Sequence, residues 1–193
     1  TGVYGTRNYL RGQWMAVRAE YRPGLLSVEL DGGAAVSFAT PDLATSSTWR
    51  VAIGARSDGR GASELCQLAN VSLHGAAPAP APPAPPSPPP VAPLTMGSSS
   101  DQIELSPSGP LSLHGAAEFA SDAPGEVHLT TSLSDPRTGY ALCSLAVAPT
   151  FVLRFSYRVP SNANAHGMGF SFFDAAEHSS MVAYGAYNGG FTN

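Results

Sequence analysis

The chain has 193 residues, 43% of them hydrophobic and only 12% charged, with a formal net charge of −4. Its cations are ten arginines with no lysine: seven against six acids in residues 1–75, and three against eight in residues 101–193. That balance excludes the concentrated basic face that nucleic-acid binding needs, and no apolar run approaches the ~18 residues of a membrane-spanning helix.

In chain order, the elements read as β-strands. From Gln13 to Tyr21, Met15, Val17, Ala19 and Tyr21 alternate with polar partners such as Arg18 and Glu20, the period of a half-buried strand. Leu26, Val28 and Leu30 then alternate with Ser27, Glu29 and Asp31. Asp31-Gly32-Gly33 supplies a hairpin turn, and Val36 and Phe38 lie on the return strand. Trp49, Val51, Ile53 and Ala55 form another period-two face, which ends at the polar loop Ser57–Gly61. A last strand runs from about Leu65 to Leu73, with Ala69, Val71 and Leu73 inward and Asn70, Ser72 and His74 outward. Asn70-Val71-Ser72 is an N-glycosylation sequon, and its outward placement leaves Asn70 open to a glycan.

Residues 76–100 break this pattern. Ten of the eighteen prolines fall between Pro78 and Pro93, and no charged residue occurs between His74 and Ser100. Proline fixes φ and donates no backbone N–H, so residues 76–100 are expected to be an extended polyproline II linker, whose Pro78–Pro93 part alone spans roughly 50 Å at about 3.1 Å per residue. Beyond it, strands are expected at Ile103–Leu105, Leu111–Leu113, Val127–Leu133 and Tyr140–Val147. The clearest is Phe151–Val159, where Leu153, Phe155, Tyr157 and Val159 oppose Arg154, Ser156 and Arg158. Gly167–Phe173 follows. Short strands punctuated by Gly, Pro and Asn indicate an all-β sandwich. The hexapeptide SLHGAA occurs twice, at Ser72–Ala77 and Ser112–Ala117.

The stretch FVLRFSYRVPSNANAHGMGFSFFDAA resembles the front half of a concanavalin A-like jelly roll of the legume-lectin or laminin-G type. GQWMAVRAEYRPGLLSVELDGG, WRVAIGARS and ANVSL resemble its back half. The resemblance implies two sandwich halves in reversed order, with residues 1–75 a back half, 76–100 the linker and 101–193 the front half of the next sandwich. Residues 101–193 followed by 1–75 make 168 residues, a suitable size for one such domain. Two arrangements fit: a circular permutant closed by its own linker, or one period of a tandem array whose domains straddle the numbering. A stiff rod closes one domain poorly, which favours the array. On that arrangement Cys66 and Cys143 are expected to form a disulfide between successive copies; the alternative is two buried free thiols. The family's sugar site does not carry over. Met168 stands where its aspartate usually lies, and residues Tyr184–Asn193 hold no carboxylate for its calcium pattern. Asn188 with Gly189 and Gly190 reads as a plain turn.

The proline tract resembles the hydroxyproline-rich glycoproteins of plant and green-algal walls and matrices. That resemblance implies hydroxylation and O-glycosylation at Pro78, Pro80, Pro82, Pro83, Pro85, Pro86, Ser87, Pro88, Pro89 and Pro90. Catalytic patterns are missing from the sequence. Asp174 and Glu177 are the nearest acid pair and lack the third acid of the fold's glucanases, and no nucleophile elbow or phosphate loop is present. Histidines 74, 114, 128, 166 and 178 lack metal-ligand spacing, so no metal or cofactor is expected. The chain begins at Thr1 without a visible leader and is expected to be a processed or excerpted piece. These features point to a secreted structural glycoprotein of the extracellular matrix, cell wall or a cell-surface filament. Its expected partners are neighbouring copies and covalent glycans, with no nucleic acid and no membrane span. The alternative is a lectin-like adhesion or carbohydrate-binding module on a stalk.

Overall fold

The computed structural model describes residues 12–40, 48–56, 65–76, 102–130, 138–159 and 167–176. They contain eleven β-strands and no helix. In β1 (Trp14–Arg22) the alternation places Met15, Val17, Ala19 and Tyr21 in the core. Pro23 and Gly24 turn the chain, Pro23 by its fixed φ and Gly24 by a φ of +81°, so that Arg22 pairs with Leu25 at the start of β2 (Leu25–Leu30). At the far end of β2, Asp31 and Gly32 both have positive φ (48° and 68°), and Gly33 N–H donates to the Leu30 carbonyl at 2.9 Å. This is the hairpin turn expected at Asp31-Gly32-Gly33, and it leads to β3 (Val36–Ala39).

The remaining strands are β4 (Trp49–Arg56), β5 (Gln67–Ala76), β6 (Leu111–Gly115), β7 (Glu118–Phe119), β8 (Glu126–His128), β9 (Thr138–Cys143), β10 (Val147–Arg158) and β11 (Gly167–Asp174). They form two antiparallel sheets, one of seven strands in the order β3-β2-β1-β10-β5-β8-β7 and one of four in the order β11-β4-β9-β6. The all-β expectation holds, with differences in detail. The expected strand Tyr140–Val147 is broken at residues 144–146, its ends belonging to β9 and β10. Ile103 and Leu105 are buried, yet the only pairing there is an isolated bridge at Gln102. Of the expected strand Val127–Leu133, Val127 and His128 lie in β8 and residues 131–133 lie outside the described residues, and β7 had no sequence signal.

Each sheet interleaves strands from both sides of the proline-rich segment. β10 lies between β1 and β5, in register from Trp14↔Arg158 to Tyr21↔Phe151 on one side and from Arg158↔Gln67 to Val147↔Ala76 on the other. β4 likewise lies between β11 and β9. Within this one chain, strands β1–β5 and β6–β11 therefore complete one another, and the exchange of halves between successive copies expected from a stiff rod would use the same pairings. Ser72 bridges Gln102, and Ile103 N–H donates to the Val71 carbonyl at 2.8 Å, so the chain on both sides of residues 77–101 meets at β5. Loop closure is the reason this arrangement is accessible. Its entropic cost rises by only about 0.6 kcal/mol per doubling of loop length, so a segment this long does not forbid it.

The core lies between the sheets. Phe151, Leu153, Phe155 and Tyr157 from β10 meet Val51, Ile53 and Ala55 from β4, with Leu68, Val71 and Leu73 from β5 beside them. Tyr21, Phe151 and Phe172 form an aromatic cluster with ring centroids 4.6–5.6 Å apart. The two SLHGAA copies share one local feature: the glycine of each has positive φ, Gly75 (78°) one residue before the end of β5 and Gly115 (66°) at the end of β6. A Cβ there would sit 2.5 Å from the Thr150 carbonyl oxygen in one copy and 2.2 Å from that of Thr138 in the other, so both positions require glycine.

Because β10 and β4 each need partners from the other side, neither flank holds a complete core. Residues 1–76 and 101–193 produced separately should melt without a cooperative transition. Refolded together, they should recover a single transition by circular dichroism. A cooperative melt from either fragment alone would assign that fragment a core of its own.

Candidate functional site

The outer face of the seven-stranded sheet is polar because the residues between the buried positions of β1, β5 and β10 all point there. Alternation is simple on β1 and β10. On β5 it is interrupted: the register against β10 shifts between Arg154 and Ser156, and Asn70 takes a φ of +53° at that bulge. As a result Leu68 and Val71 are both core residues, at 0% and 1% exposure, and Ala69 between them is also buried, pairing with Ser156 and Glu126. Asn70 itself is exposed, as the sequence predicts. Its side-chain amide donates to Ser156 Oγ at 3.4 Å, so Nδ2 lies across the strand boundary.

Next to Asn70 a groove of about 370 Å³ runs over β1, β5 and β10, bordered by Arg18, Glu29, Ser72, Arg154 and Ser156. Its floor is shallow because the side chains at Ala16, Ser72 and Ser156 are small. Arg18 and Arg154 are directly opposed in the β1–β10 ladder, a like-charge pairing that is unfavourable unless carboxylates offset it. For Arg18 they do: it donates to Glu20 at 2.6 Å and lies 3.9 Å from Glu29. Hydrogen bonds from Arg22 and then Arg18 hold the Glu20 carboxyl below the usual carboxylate range. Arg154 is exposed, and no hydrogen bond or ion pair ties it to another described residue.

At the end of the same face where β1 begins, one cross-strand row runs Trp14, Arg158, Gln67, His128 and Glu118. The Arg158 guanidinium sits 5.0 Å from the centroid of the Trp14 ring and donates to Gln67 Oε1 at 2.7 Å, and Gln67 donates to Glu126 at 3.2 Å. Sequence reasoning missed this row and the Arg18–Arg154 pair. Most of the partners are distant in sequence, Trp14 from Arg158 by 144 residues, Arg18 from Arg154 by 136 and Gln67 from Arg158 by 91, and alternation says only that each points outward.

Other residues singled out in the sequence have structural settings. Asp174 ends β11 and accepts the Ala176 N–H at 2.9 Å, a turn contact. Met168 pairs with Ala55 and packs half-buried against the core. His74, His114 and His128 lie on three separate strands, His114 stacked on Tyr140 with centroids 4.8 Å apart. Among the described residues no group of three or more His, Cys, Asp or Glu is placed to hold a metal, and no helix is long and apolar enough to cross a membrane. The modification sites expected from Pro78 to Pro90, together with Glu177, His166, His178 and Asn188, lie outside the described residues.

Cys66 and Cys143 are both buried free thiols, at 0% and 3% exposure. Cys66 precedes β5 and its carbonyl accepts the Leu129 N–H, while the Leu129 carbonyl lies against Gly139 near the start of β9. Cys143 ends β9, four residues beyond Gly139, about 13 Å farther along at roughly 3.3 Å per residue. The thiols mark opposite ends of one core, and disulfide formation needs Cα atoms within about 7 Å. The expected bond joins successive copies, and within one chain the two cysteines are not bonded to each other. Burial also pushes the Cys143 thiol pKa up.

No family model matches the chain, and no curated protein matches it.

Both thiols should resist an aromatic disulfide reagent in the native protein and titrate as two per chain only after unfolding. A covalent dimer on a non-reducing gel that reduction dissolves would restore the bridge between copies.

Proposed function

We propose that the protein is an extracellular structural glycoprotein, contributing one period of a tandem or polymeric fibre in which lectin-like sandwiches are strung on glycosylated polyproline rods. The observation that carries this reading is the chemistry of residues 76–100, ten prolines with no charge, together with its attachment at both sides to the β5 region of a packed sandwich. Proline-rich composition suits a stiff, protease-resistant spacer, and a sugar coat on hydroxylated prolines would stiffen it further. The sandwich supplies the folded anchor. Its exposed sequon at Asn70 agrees with a secretory route.

Interleaving offers a route to the fibre. The contacts β10 makes with β1 and β5 inside one chain are the contacts it would make if it entered the sheet of a neighbouring copy. A short flexible tether holds the two halves at an effective concentration in the millimolar range and favours closure within one chain. A tether too stiff to bring them together lowers that value and favours exchange. Rod stiffness, set by proline hydroxylation and glycosylation, would then decide between monomer and array.

A second reading is a carbohydrate-binding or adhesion module. It is favoured by Trp14, 37% exposed beside the planar polar groups of Arg158 and Gln67, a combination suited to stacking on a sugar ring.

Acid hydrolysis of the native protein should release hydroxyproline and pentose or hexose. Peptide mass spectrometry should place modified residues at Pro82, Pro83, Pro85, Pro86, Pro88, Pro89 and Pro90. Unmodified prolines throughout would remove the wall-glycoprotein reading, and images of smooth monomers would remove the fibre. Glycan-array binding abolished by Trp14→Ala would favour the adhesion module instead.

A further inference from the structure

We propose that the groove on the outer face of the seven-stranded sheet is the seat of the protein's own Asn70 glycan, so that the first sugars lie along the sheet and do not project into solvent. The proposal rests on the reading of Asn70 as glycosylated and adds where that glycan goes and what holds it.

Direction comes first. The glycan would be attached through Asn70 Nδ2, and in the structure this atom reaches across the strand boundary toward Ser156 Oγ at 3.4 Å. The left-handed backbone at the bulge sets that aim, since it removes Asn70 from the regular alternation of β5. Growth from Nδ2 therefore begins over the groove, which has about 370 Å³ of space bordered by the sequon's own Asn70 and Ser72. That volume falls in the range of small-ligand sites.

The chemistry of the lining comes second. A guanidinium carries five N–H donors and no acceptor. Arg154 projects them at the groove with no acceptor among the described residues, opposite a second cation in Arg18. Arg18 is already engaged with Glu20 and Glu29, which leaves Arg154 as the donor that an incoming acceptor would satisfy. The hydroxyls and acetamide carbonyl of an N-acetylhexosamine are such acceptors. Ser72, the ladder partner of Arg154 on β5, and Ser156, two residues along β10, add hydroxyls to the lining.

The test is a double-mutant cycle on the full chain secreted from one glycosylating eukaryotic host. Ser72→Thr keeps the sequon and Ser72→Ala removes it, each with and without Arg154→Ala. Asn70→Gly, which preserves the left-handed backbone, is a second glycan-free form should Ser72→Ala fold poorly. Peptide mass spectrometry first establishes occupancy at Asn70. With the glycan present and Arg154 intact, the melting temperature should lie about 2–4 °C above that of the glycan-free forms, the shift that about 1 kcal/mol produces in a chain of this size. Arg154→Ala should remove that difference while leaving the glycan-free forms unchanged. An unoccupied Asn70 would overturn the glycosylation reading and the seat with it. An occupied Asn70 whose glycan gives the same shift with and without Arg154→Ala would overturn the seat alone.

Discussion

The rest of the structure depends on the insertion of β10 between β1 and β5. This strand carries Phe151, Leu153, Phe155 and Tyr157 to the centre of the core, and each such side chain contributes about 1.5–3 kcal/mol when fully buried. It also satisfies the backbone groups of two neighbours that would otherwise be sheet edges, and exposed edges invite pairing with other chains. Without β10 the seven-stranded sheet falls apart into β3-β2-β1 on one side and β5-β8-β7 on the other. Because β10 comes from beyond the proline-rich segment, the fold is committed only after most of the chain has been made.

The sequence revealed the strands well and their grouping poorly. Period-two alternation identified the core faces of β1 and β10 residue by residue, since one face of each meets apolar neighbours and the other meets solvent, whereas β4 is buried on both faces from Val51 to Ala55. It failed at β5, where the bulge at Asn70 shifts the phase: Leu68 and Val71 are three apart, a spacing that alternation cannot produce. It also failed at β7 and β8, which are too short to carry a period. The stiffness of the proline tract bears on whether the flanks pair within one copy or between copies, whereas the pairing itself depends on apolar faces that match across long sequence separations. The groove was invisible for the same reason. It arises from the register of three strands drawn from both flanks.

The bulge that misled the alternation also shapes the candidate site. A regular β5 would carry Asn70 in line with its neighbours, and the left-handed backbone turns its amide toward β10. Asparagine tolerates this conformation better than most residues, so a local structural preference and a glycosylation signal coincide at one position. The repeated hexapeptide offers a parallel. In both copies a glycine with positive φ lets a neighbouring carbonyl approach closely, so identical sequence takes the same backbone turn in two different sheets.

The orientation of the strands has a mechanical consequence. β1 begins at the Arg158 end of the sandwich, whereas β11 finishes beyond Phe172, at the end marked by Tyr21. Tension applied through the chain at these two points would pull β1 lengthwise against β2 and β10 together. Eight residue pairs on one side and six on the other would bear the load at once, in shear, and would not peel apart one by one. A sandwich loaded in that geometry yields late and abruptly, which is the behaviour required of a link that must hold its length under pull.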